Sequence, residues 1–286
     1  MASIRLLKGR IKSARNIAQI TKAMELVAAS KMKKAQLAAL AGKAYAKKIY
    51  DMMMELAEKT DISNHPLLSP PKGLTGKRAV IVISSNKGLC GGLNTNLLRY
   101  FVSTYPDIKK NSYITLGKKG AEFIVRVGGS LQADFSSSIP FVSTVPALID
   151  MVTGQYLRGE IDAVDVVYNE FFSALKQTPV KKQILPLRVE GLGQEYESIK
   201  TDFVIEPSIG EVFDLLVPQY LENQIRDAIL QSEASEHSAR MVAMRNATDN
   251  AVSLIGELTL LYNKARQEKI TYEISDMVTA RLAVEG

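Results

Sequence analysis

From Ile4 to Lys59 the chain has no proline and only two glycines, Gly9 and Gly42. Ala, Lys, Met, Leu and Glu dominate this stretch, all strong helix formers, so a single long helix is predicted. Its apolar and small residues recur at Ile4, Leu7, Ile11, Ala14, Ala18 and Thr21, a 3-4-3-4-3 spacing. The stripe is then expected to drift to Ile20, Met24 and Val27, as on a helix near 3.6 residues per turn with an incomplete supercoil. At 1.5 Å per residue such a helix is roughly 80 Å long, longer than a compact domain of this size is wide.

The C-terminal third repeats the pattern. No proline follows Pro218, and Ala247, Ala251, Leu254, Leu258, Leu261 and Ala265 are spaced 4-3-4-3-4. The predicted helix starts near Glu211 or Pro218 and runs to about Ala283, roughly 100 Å. Neither helix can bury its stripe alone, so each is expected to bury it on the other, antiparallel, with small seam residues letting the backbones approach.

The middle has another texture. His65-Pro66 and the Ser69–Gly73 stretch break the first helix. Arg78–Ser84 is a β-branched run of buried-strand length, followed by a glycine-rich turn and a helical stretch at Leu93–Thr104. Further strands are expected at Ser112–Leu116, Val164–Tyr168 and Lys181–Leu187, and helices near Lys118–Val127 and Ala147–Arg158. The fold class is α/β: a long antiparallel coiled coil of the terminal helices plus a central α/β domain with a mostly parallel sheet. The expected divisions are 1–60 (N-terminal coiled-coil helix), 77–190 (Rossmann-like domain) and 209–286 (C-terminal coiled-coil helix).

Composition narrows the function classes. No apolar run approaches the ~18 residues of a membrane-spanning helix. The N-terminus lacks the apolar core of a secretory signal, and the helical pattern begins too early for a transit peptide. One cysteine, Cys90, rules out an intrachain disulfide and suits a reducing compartment, so a soluble intracellular chain is expected. The net charge of +6 conceals an asymmetry. Residues 1–48 hold twelve Lys or Arg against one acid, Glu25, whereas residues 211–286 hold seven bases and twelve acids. This is either helix-to-helix charge pairing on solvated faces or a basic face that meets an acidic partner.

The most site-like segment is Ser84–Asn94, after a strand and before a helix. Its backbone amides could cradle a phosphate. The segment has neither G-x-x-x-x-G-K-[ST] nor G-x-G-x-x-G, so Gly88, Gly91 and Gly92 are read as structural, serving a tight turn and close helix–strand packing. Cys90 is read as a packed residue. The two histidines, His65 and His237, belong to no cluster of ligand spacing, so neither a metal nor a cofactor is expected. Glu233 with Glu236, or Glu268 with Glu273, could form an acid–base pair but are read as surface charges. Nucleic-acid binding by the basic stripe lacks an aromatic stacking platform, since residues 1–44 contain no aromatic side chain.

Four segments resemble the signature regions of the F-type ATP synthase γ subunit. They are Arg10–Ser13 continuing through Ile20–Met32, the Ser84–Asn94 strand and turn, Ser238–Ala251, and Leu261–Ile274. Together they span the chain, in the family's order and spacing. The resemblance implies a non-catalytic central stalk that turns inside a ring of α and β subunits, rests on an ε subunit and a ring of c subunits, and passes torque between proton flow and the β subunits. It places Met24, Lys22 and Lys31 against acidic lever loops of β, and Arg240, Gln267 and Thr271 within hydrogen-bond reach of β loops. The apolar tip Met277, Val278, Ala280, Leu282, Ala283 and Val284 would turn in an apolar sleeve. Asn86-Lys87 departs from the family's more frequent Asp-Arg, and the cysteine-bearing insertion of chloroplast forms is absent. A bacterial, membrane-peripheral subunit is the expectation.

Overall fold

A computed structural model describes residues 4–59, 65–69, 73, 75–187, 206 and 208–285. The expected break at Pro70–Lys72, the outer limits of the expected divisions at residues 60, 190 and 286, and the Val284 side chain lie outside what is described. The elements in order are α1 (Ile4–Lys59), β1 (Arg78–Ile83), α2 (Leu93–Thr104), β2 (Ser112–Leu116), α3 (Lys118–Arg126), β3 (Ser130–Asp134), α4 (Val145–Leu157), β4 (Ala163–Phe171), β5 (Gln177–Leu185) and α5 (Ile209–Glu285). By contacts the chain forms two units: one from the residues up to Ala28 with those from Met241 onward, the other from Ala29 to Arg240.

In the larger unit the sheet order is β3-β2-β1-β4-β5, parallel except for β5, which pairs antiparallel with β4. Strand β1 is buried on both faces, which is why it reads as an uninterrupted β-branched run. Ala79, Ile81 and Ile83 face a core shared with α4, with Ile49, Met53 and Leu56 of α1, and with Phe213–Ile229 of α5. Val80 and Val82 face the opposite core, built with Leu97 and Phe101 of α2 and Ile124 of α3. The expected elements are all present. Strand β5 begins four residues earlier than its predicted start, and β3 was not predicted. Pro179 is accommodated because β5 is an edge strand. Helix α5 starts at Ile209 and carries Pro218 inside it. Pro218 would leave the carbonyl four residues back, that of exposed Asp214, without an amide donor, a vacancy that water can fill.

On interior strand β4, buried Asp165 accepts from Arg78 Nη1 at 3.0 Å and from the Tyr105 hydroxyl at 2.8 Å. Burial and the Asp165 charge raise the Tyr105 phenol well above its ordinary range, so it stays a donor.

In the smaller unit α1 and α5 run antiparallel: the Thr21 and Thr248 hydroxyls meet at 2.7 Å, and the α1 residues nearer the N-terminus, Arg5 to Ile17, lie beside Leu254 and Leu258. The inward residues of α1 are Leu7, Ile11, Ala14, Ala18, Thr21, Met24, Glu25 and Ala28. The predicted drift does not occur, since Ile20 and Val27 are both more than half exposed. A 3.5-residue seam persists because small residues such as Ala28 keep to it. On α5, Ala251 and Leu258 are buried as expected, but Leu254 and Leu261 are exposed, and Ile255 and Tyr262 take the inward places.

Candidate functional site

The Ser84–Asn94 turn leaves the C-terminal end of β1, where an α/β sheet commonly binds phosphate. Here the turn is tied to the start of α3. Ser84 Oγ accepts from the Gly120 amide at 2.8 Å and donates to the Gly117 carbonyl. Asn86 Oδ1 accepts from the Lys118 amide at 2.9 Å, and the Ser85 carbonyl from the Lys119 amide at 3.2 Å. The amides at the start of α3 are therefore satisfied by this turn. Asn94 closes the turn from the other side through Nδ2, which reaches Ser85 Oγ at 2.7 Å and buried Cys90 Sγ at 3.3 Å.

Of the three glycines singled out in this turn, only Gly91 has a positive φ, 59°. A Cβ at Gly88 would meet open space, and one at Gly92 would make only ordinary contact with Asn96. The demanding position is Leu89, left-handed at φ 62° with its side chain well exposed. Nothing in the local sequence marks Leu89, since a leucine carries no turn signal.

Arg240, from the middle of α5, is bound into the same turn. Its Nη2 lies 3.1 Å from the Lys87 carbonyl, 3.2 Å from the Gly88 carbonyl and 2.8 Å from Glu236 Oε1. Only 12% of its side chain is exposed. Around it, burial together with neighbouring Glu236 raises the Glu233 carboxyl. Burial also raises Glu236, partly countered by Arg240. Burial, then the Arg240 and Lys31 charges, push His237 down to about 4, so it is neutral at physiological pH. The expected surface pair Glu233 and Glu236 is thus half-buried, and Glu236 serves as the partner of Arg240.

The other residues singled out stand as follows. Lys31 is exposed. In the smaller unit, Lys22 pairs with Glu25 at 3.0 Å, and Met24 is half-buried one residue away. Gln267 and Thr271 are exposed one turn apart on α5, and the Thr271 hydroxyl donates to the Gln267 carbonyl at 3.0 Å. From Arg266 to Ala283 every residue of α5 is exposed, including Ile270, Tyr272, Ile274, Met277, Val278 and Leu282. Among the described residues no cluster of three His, Cys, Asp or Glu could hold a metal ion, and no helix is long and apolar enough to cross a membrane.

A family model described as ATP synthase matches residues 3–284. The ATP synthase gamma chain of Herpetosiphon aurantiacus is 42% identical over 297 residues, covering 99% of either chain. That of Dehalococcoides mccartyi (strain CBDB1) is 43% identical over 294 residues, covering 99% of this chain and 100% of its relative. This chain belongs to the ATP synthase gamma-chain family. The gamma-chain fold is seen again in a chain of the Euglena gracilis mitochondrial ATP synthase, from the assembly of OSCP, F1 and c-ring. It has a TM-score of 0.65 at 17% identity and covers 98% of this chain and 94% of that one. A chain of the Tetrahymena thermophila mitochondrial central stalk and c-ring matches with a TM-score of 0.59 at 24% identity, covering 80% of this chain and 99% of that one. In this gamma chain, Arg240 is what holds the Ser84–Asn94 turn to α5.

Proposed function

We propose that this chain is the central-stalk rotor of an F-type ATP synthase, carrying torque between a proton-driven c ring and the catalytic β subunits and doing no chemistry itself. The observation that carries the reading, beside gamma-chain membership, is the exposed stretch of α5. A single helix with Ile270, Tyr272, Ile274, Met277, Val278 and Leu282 all open to solvent has no core of its own to hold it. A surrounding sleeve of α and β subunits would cover those side chains and let them slide, because apolar contacts are non-directional. For the larger unit, ε and the c ring are the proposed partners.

Torque transfer is differential binding. A rotor drives a β subunit only by contacting its conformers unequally, and moving a two-state element from 1:99 to 99:1 needs about 5.5 kcal/mol of such difference. Met24, Lys22, Lys31, Gln267 and Thr271 are the proposed β contacts. Arg240 joins them either by exchanging its Gly88 carbonyl for a β acceptor or through exposed Leu89 on the turn it holds. The proposed location is the cytoplasmic face of a bacterial plasma membrane, as a peripheral subunit. Mixing purified chain with separately purified α and β subunits tests the reading. One copy joining three of each, with sustained ATP hydrolysis, is expected. A chain that stays apart and leaves hydrolysis unchanged would refute it.

A further inference from the structure

Within the larger unit, a pocket of about 400 Å³ opens between Ala38–Tyr50 of α1, Lys182 of β5 and Tyr220–Leu230 of α5. Its volume falls in the ~300–1,000 Å³ range of small-molecule sites. The charge lining it is lopsided: Lys43, Lys47, Lys182 and Arg226 against one acid, Asp227. Lys43, Lys182 and Arg226 form no hydrogen bond or close ion pair among the described residues. Lys182 is half-buried; burial disfavours its ammonium, and the nearby Asp227 and Glu170 charges partly offset that.

Two polar groups in the wall lack partners. Asn223 is only 7% exposed, yet its amide makes no hydrogen bond among the described residues. The Tyr50 hydroxyl is buried and also unpartnered. The Asn223 amide, in the pocket wall, is free to donate to a bound acceptor. The Tyr50 and Tyr220 rings, 6.2 Å apart and tilted 37°, give the pocket an aromatic side, extended by Ala38, Ala39 and Leu230. The donors suit an oxyanion, and the rings suit a flat or apolar body attached to it.

We propose that this pocket binds a small organic phosphate, its oxygens held by Lys182, Arg226, Lys43 and the Asn223 amide, its carbon skeleton laid against Tyr50 and Tyr220. The site is separate from the Ser84–Asn94 turn and does not depend on the rotor reading. Calorimetric titration of the full chain with phenyl phosphate, with inorganic phosphate and with phenol tests it. Saturable one-site binding of phenyl phosphate is expected, about tenfold tighter than inorganic phosphate, with phenol not binding. Lys182→Met and Asn223→Leu should each weaken binding about tenfold or more. Exposed Lys43→Met should weaken it with an unchanged Tm, which covers the case in which the other two variants fail to fold. Absence of saturable binding up to about 10 mM, equal affinity for both phosphates, or undiminished affinity in the variants would overturn the proposal.

Discussion

The Arg240 guanidinium lies 3.2 Å from the carbonyl oxygen of Gly88, a residue 152 positions away. That contact, with those to Lys87 and Glu236, binds the middle of α5 to the turn that follows β1.

Arg240→Ala removes the donors from two carbonyls and leaves half-buried Glu236 without its partner. The expected loss is about 1–3 kcal/mol of stability by urea denaturation, with faster amide exchange across residues 86–92. Arg240→Lys should recover less than half of it, because a point ammonium cannot reproduce the fork that reaches Glu236 and both carbonyls. Unchanged exchange in the turn would mean that the contact does not hold it.

Two glycines near that turn should respond oppositely to alanine. Gly117 has φ 115°, and a Cβ there would run into the Ser84 carbonyl oxygen. Gly117→Ala should cost more than about 3 kcal/mol or prevent folding. Gly88→Ala, facing open space, should fall within about 0.5 kcal/mol of the parent. Thermal unfolding of the two variants checks both.

The contrast between these glycines shows what was legible in the sequence. Gly88, Gly91 and Gly92 drew attention as a cluster, yet only Gly91 needs its freedom, and the most constrained positions are Leu89 and Gly117. Strands β1, β2 and β4 could be read because burial on both faces imposes apolar runs. Strand β3, Ser-Leu-Gln-Ala-Asp at the sheet edge, alternates exposed and half-buried residues and carries no such run. On α1 the large apolar residues Ile20 and Val27 outweigh alanines in the periodicity, although it is Ala14 and Ala28 that are buried in the seam. The inward turn of Arg240 depends on a loop brought from β1, which helix periodicity does not report.

His237 should impose a pH dependence. Its folded pKa is depressed to about 4, below the ordinary 6.5 of the unfolded chain. Its contribution is therefore fully present above pH 6.5 and is lost as pH falls towards 4. Glu233 and Glu236 act in the opposite sense, because their raised pKa values let the folded state take up protons first. The difference between wild type and His237→Gln isolates the histidine. Urea midpoints should run parallel above pH 6.5, with the wild type losing stability relative to the variant between pH 6.5 and 4.

Thr21 and Thr248 offer a test of the antiparallel pairing. Their hydroxyls meet at 2.7 Å, and each also bonds its own helix. A double-mutant cycle with Thr21→Val and Thr248→Val should give a coupling of about 0.5–1.5 kcal/mol. A coupling near zero would contradict the register.

As a rotor, the chain must turn within its partners. The direct measurement is to fix a complex of this chain with α and β subunits to a surface, attach a bead to the larger unit of this chain, and watch it under ATP. The account predicts sustained rotation in one direction, in three equal steps per turn, that stops when ATP is removed. A complex that hydrolyses ATP while the bead only fluctuates about a fixed angle would contradict it.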